Sequence, residues 1–408
     1  MAAMGDTANP TSTANTKKKA DYADVIVAAG CALGVAITLL FLAVMPLNRH
    51  LAGARDYVIY WATGQQLAHR GNPYDPERMR ALEHGAGFAG NAALVNYMRN
   101  PPWGLPLALP LGFVGAQAGA LPWSLLMLAL LLVSARVLWR MWGHAGSHLD
   151  WLGYCFPPAL ICVMMGQTSL FLLLGLVLFL RLHRSAPFWA GSALWFCTLK
   201  PHLFVPFGLA LLAWIAMTRS YRIVLGLAAA LAVSCGVIAL IDPAAWGQYL
   251  QWAHTSGISN EFQPCLGVAL RDWIDPNAKW LAFVPCVVGS VWAVDYFRRH
   301  RTHWDWAEHG GLVMVVSILV APYCWFYDQS LVLPAVLYGA WRTRSRGLLA
   351  ALGLIYLVIE IQPLISPEPE TAWYLWTAPA WLIWCLLERR AAKLTETAVP
   401  VVQAVGAG

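Results

Sequence analysis

Long apolar runs recur along the whole chain and are separated by short polar segments. Twelve such runs can be recognised, at positions 25–47, 121–142, 151–165, 169–182, 188–199, 203–217, 223–241, 278–297, 312–321, 329–341, 348–361 and 372–387. A helix needs about 20 apolar residues to cross the hydrocarbon core of a bilayer, and no series of long alternating strands indicates a barrel. The pattern therefore predicts an all-α polytopic membrane protein. Because several runs are short, we expect about 10–13 transmembrane helices.

Two polar stretches, 48–100 and 242–277, are longer than the others. In the first, apolar residues recur at roughly helical spacing, which predicts short amphipathic helices lying on the membrane. If the N-terminus is cytoplasmic, most of the 27 Lys and Arg residues fall on inner loops, as the positive-inside rule requires. We therefore place both long stretches on the outer side and both termini in the cytoplasm.

Composition supports this interpretation and limits the classes of partner. The chain has 408 residues, of which 59% are hydrophobic and 12% are charged, whereas soluble domains are about half apolar and a quarter charged. The net charge of +6 is spread over loop ends, so we expect membrane lipids and no nucleic acid as partners. Residues 1–20 and 394–408 are predicted to be disordered tails that flank a membrane domain at 21–393.

Asp56 is the first candidate for a catalytic residue, because a carboxylate at the edge of a membrane segment and among aromatic residues is hard to explain by packing alone. It can serve as a general base. Ionisable and polar side chains also interrupt the short apolar runs, on the side where Asp56 is predicted to lie, and such side chains are usually functional at membrane depth. The candidates for substrate binding are Arg55, Tyr60, Asn72, Tyr74, Asn100, Gln167, Lys200, His202, Gln263, Arg271, Tyr327 and Asp328.

Several of these residues also have local explanations, which the sequence leaves open. Lys200 can extend its ammonium group to the membrane interface, and Asp328 can cap the helix that follows it. Arg271 can be a surface charge. Asp75, which follows Asn72-Pro73-Tyr74, is most simply a turn residue.

One carboxylate and several cations on the same side suit a reaction in which an anionic group leaves. A Lys or Arg near a phosphate stabilises the charge that develops as the bond breaks. Nucleotide sugars are not supplied on the outer face, so a lipid-phosphate donor is expected, and aromatic residues such as Trp61 and Trp103 suit a sugar ring or an isoprenoid chain. Nothing in this set requires a metal, and no cofactor other than the donor substrate is expected.

At these residues the sequence resembles glycosyltransferase family 87, the DUF2029 group, among the polyprenyl-phosphate-sugar-dependent membrane glycosyltransferases of the GT-C type. The pieces that carry the resemblance are, in order, Asp56-Tyr57-Val58-Ile59-Tyr60-Trp61, Gly71-Asn72-Pro73-Tyr74-Asp75, Asn100-Pro101-Pro102-Trp103, Gly166-Gln167, Lys200-Pro201-His202, Pro322-Tyr323 and Tyr327-Asp328.

The resemblance implies a GT-C-like helical bundle and an inverting transfer, in which Asp56 is the base and Lys200 lies near the donor phosphate. It implies a polyprenyl-phosphate sugar as donor, with mannose favoured, and a lipid or glycan hydroxyl as acceptor. Actinobacterial members of the family often carry Ser-Pro…His-His where this chain has Ala321-Pro322…Tyr327-Asp328, so the roles of Tyr327 and Asp328 stay open.

Two other functions remain as hypotheses. A transporter or flippase of lipid-linked sugars predicts polar residues in both halves of the bundle and an internal pseudo-symmetry, and a non-catalytic scaffold predicts no role for Asp56. The one-sided polar set favours a glycosyltransferase. We expect a multi-pass protein of a bacterial plasma membrane, with its active site on the periplasmic or extracellular side.

Overall fold

The computed structural model describes residues 22–47, 55–88, 98–143, 148–255, 262–365 and 371–405, and within these ranges it has 17 α-helices and no β-strand. The helices are α1 (Tyr22–Val44), α2 (Tyr57–Ala68), α3 (Pro76–Gly85), α4 (Ala116–Trp142), α5 (Trp151–Tyr154), α6 (Pro157–Met165), α7 (Ser169–Leu182), α8 (Pro187–Ala193), α9 (Val205–Thr218), α10 (Tyr221–Ile241), α11 (Ala245–Thr255), α12 (Leu266–Ile274), α13 (Val284–His300), α14 (Trp306–Leu319), α15 (Leu333–Arg342), α16 (Arg346–Ile365) and α17 (Thr377–Val405). The all-α prediction is confirmed.

Six helical segments of the described chain are long and apolar enough to cross a membrane: Tyr22–Val44, Ala116–Trp142, Pro201–Thr218, Tyr221–Ile241, Lys279–His303 and Arg346–Pro363. Three further apolar segments are shorter: Trp151–Met165, Ser169–Leu182 and Trp306–Leu319. Each of the twelve apolar runs contains helix, and the protein is a multi-pass membrane protein. The number of helices that span the bilayer stays a prediction.

Small residues allow neighbouring helices to pack closely, as is common where lipid surrounds a bundle. A Cβ atom added to Gly191 of α8 would lie 1.9 Å from the backbone oxygen of Ile223 in α10. One added to Gly226 of α10 would lie 1.9 Å from that of Phe188. Larger side chains at these two glycines would therefore separate the helices.

Both long polar stretches contain short helices, which we predicted for the first of them. The first holds α2 and α3, and the second holds α11 and α12. The predicted N-terminal tail lies outside the described residues. At the other end α17 continues to Val405, so the region 394–408, which we predicted to be disordered, is helical as far as Val405.

Three interruptions of the helical pattern position polar side chains at one place in the bundle. Gly166 ends α6 just before α7 begins, and Lys200 lies between two short 3-10 helices that precede α9. The third interruption follows α14 and ends in the 3-10 helix Phe326–Val332. Each contributes side chains to the cavity described next.

Candidate active site

A cavity of about 280 Å³ lies where these three interruptions meet the N-terminus of α2. It is lined by seven of the residues proposed from sequence: Asp56, Tyr60, Asn100, Gln167, Lys200, His202 and Tyr327. The sequence therefore identified residues that are up to 271 positions apart in the chain but share one cavity. Among the described residues, no three His, Cys, Asp or Glu side chains form a group that could hold a metal ion.

Asp56 immediately precedes α2, and its carboxylate accepts a hydrogen bond from a side-chain amide. Gln167 Nε2 donates to Asp56 Oδ2 at 2.9 Å, and the Tyr60 hydroxyl donates to Gln167 Oε1 at 2.8 Å. Burial raises the pKa of Asp56, although the hydrogen bond from Gln167 and the positive charge of Lys200 partly oppose this effect. A carboxyl group with a raised pKa is a stronger base once it is ionised.

The turn that presents Gln167 depends on a left-handed glycine. Gly166 has φ +73°, and a Cβ atom there would lie 2.8 Å from Tyr57 Cβ. Glycine adopts this conformation without steric cost, and it ends many helices for that reason. The Gly166 carbonyl accepts a hydrogen bond from Trp123 Nε1 at 2.7 Å, so the turn is fixed against α4.

Lys200 forms a buried ion pair. Its Nζ lies 2.6 Å from Asp328 Oδ1 and 3.2 Å from Ser169 Oγ, and the Ser169 hydroxyl donates to the same Asp328 oxygen at 2.5 Å. The backbone N–H of Trp325 donates to Asp328 Oδ2 at 3.1 Å. Asp328, the third residue of the 3-10 helix Phe326–Val332, therefore caps the start of its own helix and holds Lys200 from behind the cavity wall.

Aromatic rings surround the cations of the cavity. Lys200 Nζ lies 5.0 Å from the ring centre of Tyr327, and the guanidinium of Arg99 lies 4.7 Å from that of Trp325, within the range of cation–π attraction. The ring of His202 stacks on that of Tyr323 with 3.7 Å between centres. His202 Nε2 is buried and has no hydrogen-bond partner among the described residues.

The family model of glycosyltransferase family 87 matches residues 97–322, which is more than half of the chain. The chain belongs to glycosyltransferase family 87. The matched region contains Gln167, Lys200 and His202 of the cavity, whereas Asp56 lies before it and Tyr327 after it. Neither a curated protein nor a solved structure matches the chain. Its family and its apolar helices together show that the protein is a membrane glycosyltransferase.

Arg55 of this glycosyltransferase does not line the cavity. Its guanidinium donates to the backbone oxygens of Met164 and Val163, the latter at 3.1 Å, and to Ser124 Oγ at 2.8 Å. The carbonyls at the end of a helix have no partners within the helix. Arg55 thus caps α6 and holds it beside Asp56, and the structure does not bring this residue, which we predicted to bind substrate, to the cavity wall.

Asn72 and Tyr74 support the cavity from outside. Asn72 Oδ1 accepts the backbone N–H of Tyr74 at 2.8 Å, and the Tyr74 hydroxyl donates to the Asn100 carbonyl at 2.8 Å. Asp75 accepts the backbone N–H groups of Glu77 and Arg78, so it is the N-cap of α3, in agreement with its interpretation as a turn residue. None of these three residues lines the cavity.

Gln263 and Arg271 are buried near α12 but outside the cavity. Arg271 Nε donates to the neighbouring Asp272 at 2.8 Å. Both residues were predicted to bind substrate, and the structure does not bring either of them to the cavity wall.

Four charged or aromatic residues of the cavity escaped the sequence analysis: Arg99, Tyr249, Trp252 and Trp325. Arg99 immediately precedes Asn100, and Trp325 lies between Tyr323 and Tyr327, so both were adjacent to pieces of the family pattern. Tyr249 and Trp252 are three residues apart on α11 and share one helix face. That spacing was the one available signal for them, and it does not distinguish a cavity wall from ordinary packing.

Proposed function

We propose that the protein transfers a sugar, with mannose favoured, from a polyprenyl-phosphate donor to a hydroxyl group of a lipid or glycan. The observation that carries this proposal is that a candidate base and a candidate phosphate ligand line the same cavity. Asp56, a carboxylate that accepts a hydrogen bond from the neutral amide of Gln167, lines the same 280 Å³ space as Lys200, whose position is fixed by an ion pair.

Asp56 is the general base of the proposed reaction. It accepts the proton of the acceptor hydroxyl while that oxygen forms a bond to the anomeric carbon of the donor sugar. The bond between this carbon and the phosphate oxygen breaks, and the polyprenyl phosphate leaves with one more negative charge than it had in the donor. A single displacement of this kind inverts the configuration at the anomeric carbon.

The cations of the cavity stabilise the leaving phosphate. Lys200 has three N–H groups, and its contacts with Asp328 and Ser169 leave one of them for a phosphate oxygen. Arg99 and His202 also line the cavity, and the buried Nε2 of His202 is available to the same phosphate group. Charge-assisted hydrogen bonds of this kind are stronger than neutral ones.

The size of the cavity supports a small reacting group. Pockets for small molecules typically occupy about 300–1,000 Å³, so a cavity of about 280 Å³ takes the sugar and its phosphate. The isoprenoid chain then extends from the cavity along apolar surface.

The proposed location is a bacterial plasma membrane, with both termini in the cytoplasm and the cavity on the periplasmic or extracellular side. Cysteines introduced at two exposed positions test this topology in intact cells. Asn277→Cys, in the segment after α12, reacts with a membrane-impermeant maleimide, whereas Arg344→Cys, between α15 and α16, reacts only after permeabilisation. The opposite pattern would reverse the topology.

A transfer assay on the purified protein in lipid tests the reaction. Polyprenyl-phosphate mannose, polyprenyl-phosphate arabinose and a nucleotide sugar are each offered with a membrane lipid extract, and the product is characterised by NMR. We expect transfer from a polyprenyl phosphate, and an α-linked product from a β-linked donor. Transfer from the nucleotide sugar alone would reject the donor class, and retained configuration would reject the single displacement.

A further inference from the structure

Three consecutive side chains of the turn between α6 and α7 contact three different parts of the cavity. Gln167 donates to Asp56 at 2.9 Å, Thr168 Oγ1 lies 3.1 Å from the Tyr60 hydroxyl, and Ser169 contacts Lys200 and Asp328. A segment of three residues therefore joins the carboxylate of the cavity to its buried ion pair.

The backbone of this turn is fixed from two sides. The left-handed Gly166 lies against Tyr57, and its carbonyl accepts from Trp123. Arg55 donates to the carbonyl of Val163 at the end of α6. Arg55 therefore holds the helix that leads into the turn, and Gln167 of the turn holds Asp56.

We propose that residues 166–169 form a positioning element that orients Asp56 and Lys200 relative to each other, with Gln167 and Ser169 as its positioning residues. The proposal rests on the proposed function, which supplies the roles of Asp56 as base and Lys200 as phosphate ligand. It assigns functional importance to Ser169, which does not line the cavity.

The amide of Gln167 determines the orientation of the carboxylate. Burial raises the pKa of Tyr60, so its hydroxyl stays protonated and donates to the amide oxygen, which directs the amide N–H group towards Asp56. The hydrogen bond then holds one carboxylate oxygen at a fixed place. In a displacement reaction, a misplacement of about 1 Å can reduce the rate about 100-fold.

The hydroxyl of Ser169 determines the orientation of the ammonium group. It donates to Asp328 and accepts from Lys200, so it closes a three-membered hydrogen-bond network in which all members are buried. With two N–H groups of Lys200 held in this network, the third has a defined direction. Loss of the hydroxyl leaves the ion pair but removes that constraint.

Two substitutions separate these effects. Gln167→Met keeps the length of the side chain but cannot donate to Asp56. Because the lost hydrogen bond stabilised the ionised carboxylate, the acid limb of the kcat/KM profile moves to higher pH, and kcat/KM at its optimum falls about 100-fold. Ser169→Ala raises the KM for the donor and leaves the acid limb where it is in the wild type.

Thr63→Val is the matched control. Thr63 is a fully buried hydroxyl residue on α2 whose Oγ1 has no hydrogen-bond partner among the described residues. Its replacement removes a buried hydroxyl near the same helix and leaves both the acid limb and the donor KM unchanged. If Gln167→Met does not fold, Gln167→Glu takes its place, since it keeps the side-chain length, and repulsion by its carboxylate also moves the acid limb to higher pH.

If the acid limb of the kcat/KM profile did not move in the folded Gln167 variant, the proposal would be overturned. The same holds if the Gln167 and Ser169 variants changed the acid limb and the donor KM to the same extent. The titration of Asp56 can also be followed without turnover, from infrared difference spectra between each protein and its Asp56→Asn variant. If no donor is transferred but Gln167→Met still moves this titration to higher pH, the proposed function fails while the positioning of Asp56 by Gln167 stands.

Discussion

The two charged ends of the cavity are built in different ways. At one end Asp56 is partly exposed, and it accepts a hydrogen bond from the neutral amide of Gln167 at 2.9 Å. At the other end Lys200 lies 2.6 Å from the fully buried carboxylate of Asp328. One charge is thus oriented by a neutral group, and the other is neutralised by an opposite charge.

This difference fits the roles that we propose for the two ends. A general base must gain a proton during the reaction, and a cation in direct contact would oppose this by stabilising the carboxylate. A phosphate ligand must stay charged and in place, and a buried carboxylate beside it favours both. The comparison therefore teaches that the proposed base is oriented by a neutral donor, whereas the proposed phosphate ligand is held by an opposite charge.

The largest effect is expected from removal of the base. Asp56→Asn keeps the size of the side chain but cannot accept the acceptor proton, so kcat/KM falls by about 10²–10⁴. Initial rates of sugar transfer by the purified variant measure this loss.

Asp75→Asn is the control for that substitution. Asp75 caps α3 outside the cavity, and asparagine caps helices about as well as aspartate does, so its activity stays at the wild-type level. If Asp56→Asn retained the rate of Asp75→Asn, the base would have to be another group, and the distinction between the two ends would no longer hold.

The next largest effect is expected at the buried ion pair. Asp328→Asn leaves Lys200 buried beside a neutral group, and loss of one partner of such a pair costs about 3–5 kcal/mol. Lys200→Met leaves Asp328 unpaired in the same way. Thermal unfolding in lipid, followed by tryptophan fluorescence, measures both losses of stability.

The double variant Lys200→Met/Asp328→Asn distinguishes an ion pair from two independent contributions. It leaves no unpaired charge, so we expect it to be more stable than either single variant, although it transfers no sugar efficiently. Additive losses in the double variant would mean that the two charges are solvated separately, and the cation end would then resemble the base end.

A smaller effect is expected at Arg55, which supports the base end from outside the cavity. Arg55→Lys keeps the positive charge but loses the planar guanidinium that reaches Val163 and Ser124 together. We expect a loss of about 1–3 kcal/mol in stability, with the donor KM unchanged. An increased donor KM at unchanged stability would instead restore the predicted role of Arg55 in substrate binding.

The sequence predicted the helical fold and much of the cavity for a clear physical reason. Polar residues that interrupt apolar runs lie at the ends of membrane helices, and helix ends on one side of a bundle are close together. Gln167 and Lys200 were found in this way. Asp56 was found because a carboxylate is costly at the edge of an apolar segment.

The remaining differences between prediction and structure concern the direction in which side chains point. Arg55 and Asp56 are adjacent in the chain, yet one side chain caps α6 and the other enters the cavity. Asp328 was found, but the sequence could not show that it pairs with Lys200. Tyr249 and Trp252 were missed because the sequence does not show which face of an amphipathic helix meets a cavity and which meets neighbouring chain or lipid.

The smallest effect is expected at the polar residues near α12. Gln263 and Arg271 are buried outside the cavity, and Arg271 is paired with Asp272 at 2.8 Å. Gln263→Ala and Arg271→Ala therefore leave kcat/KM and the donor KM of the folded protein at the wild-type level, whatever they do to its stability. Steady-state rates, normalised to folded protein, measure this. A raised donor KM in Arg271→Ala would mean that the donor reaches past Pro322 to α12, and the two ends of the cavity would then not be its complete binding surface.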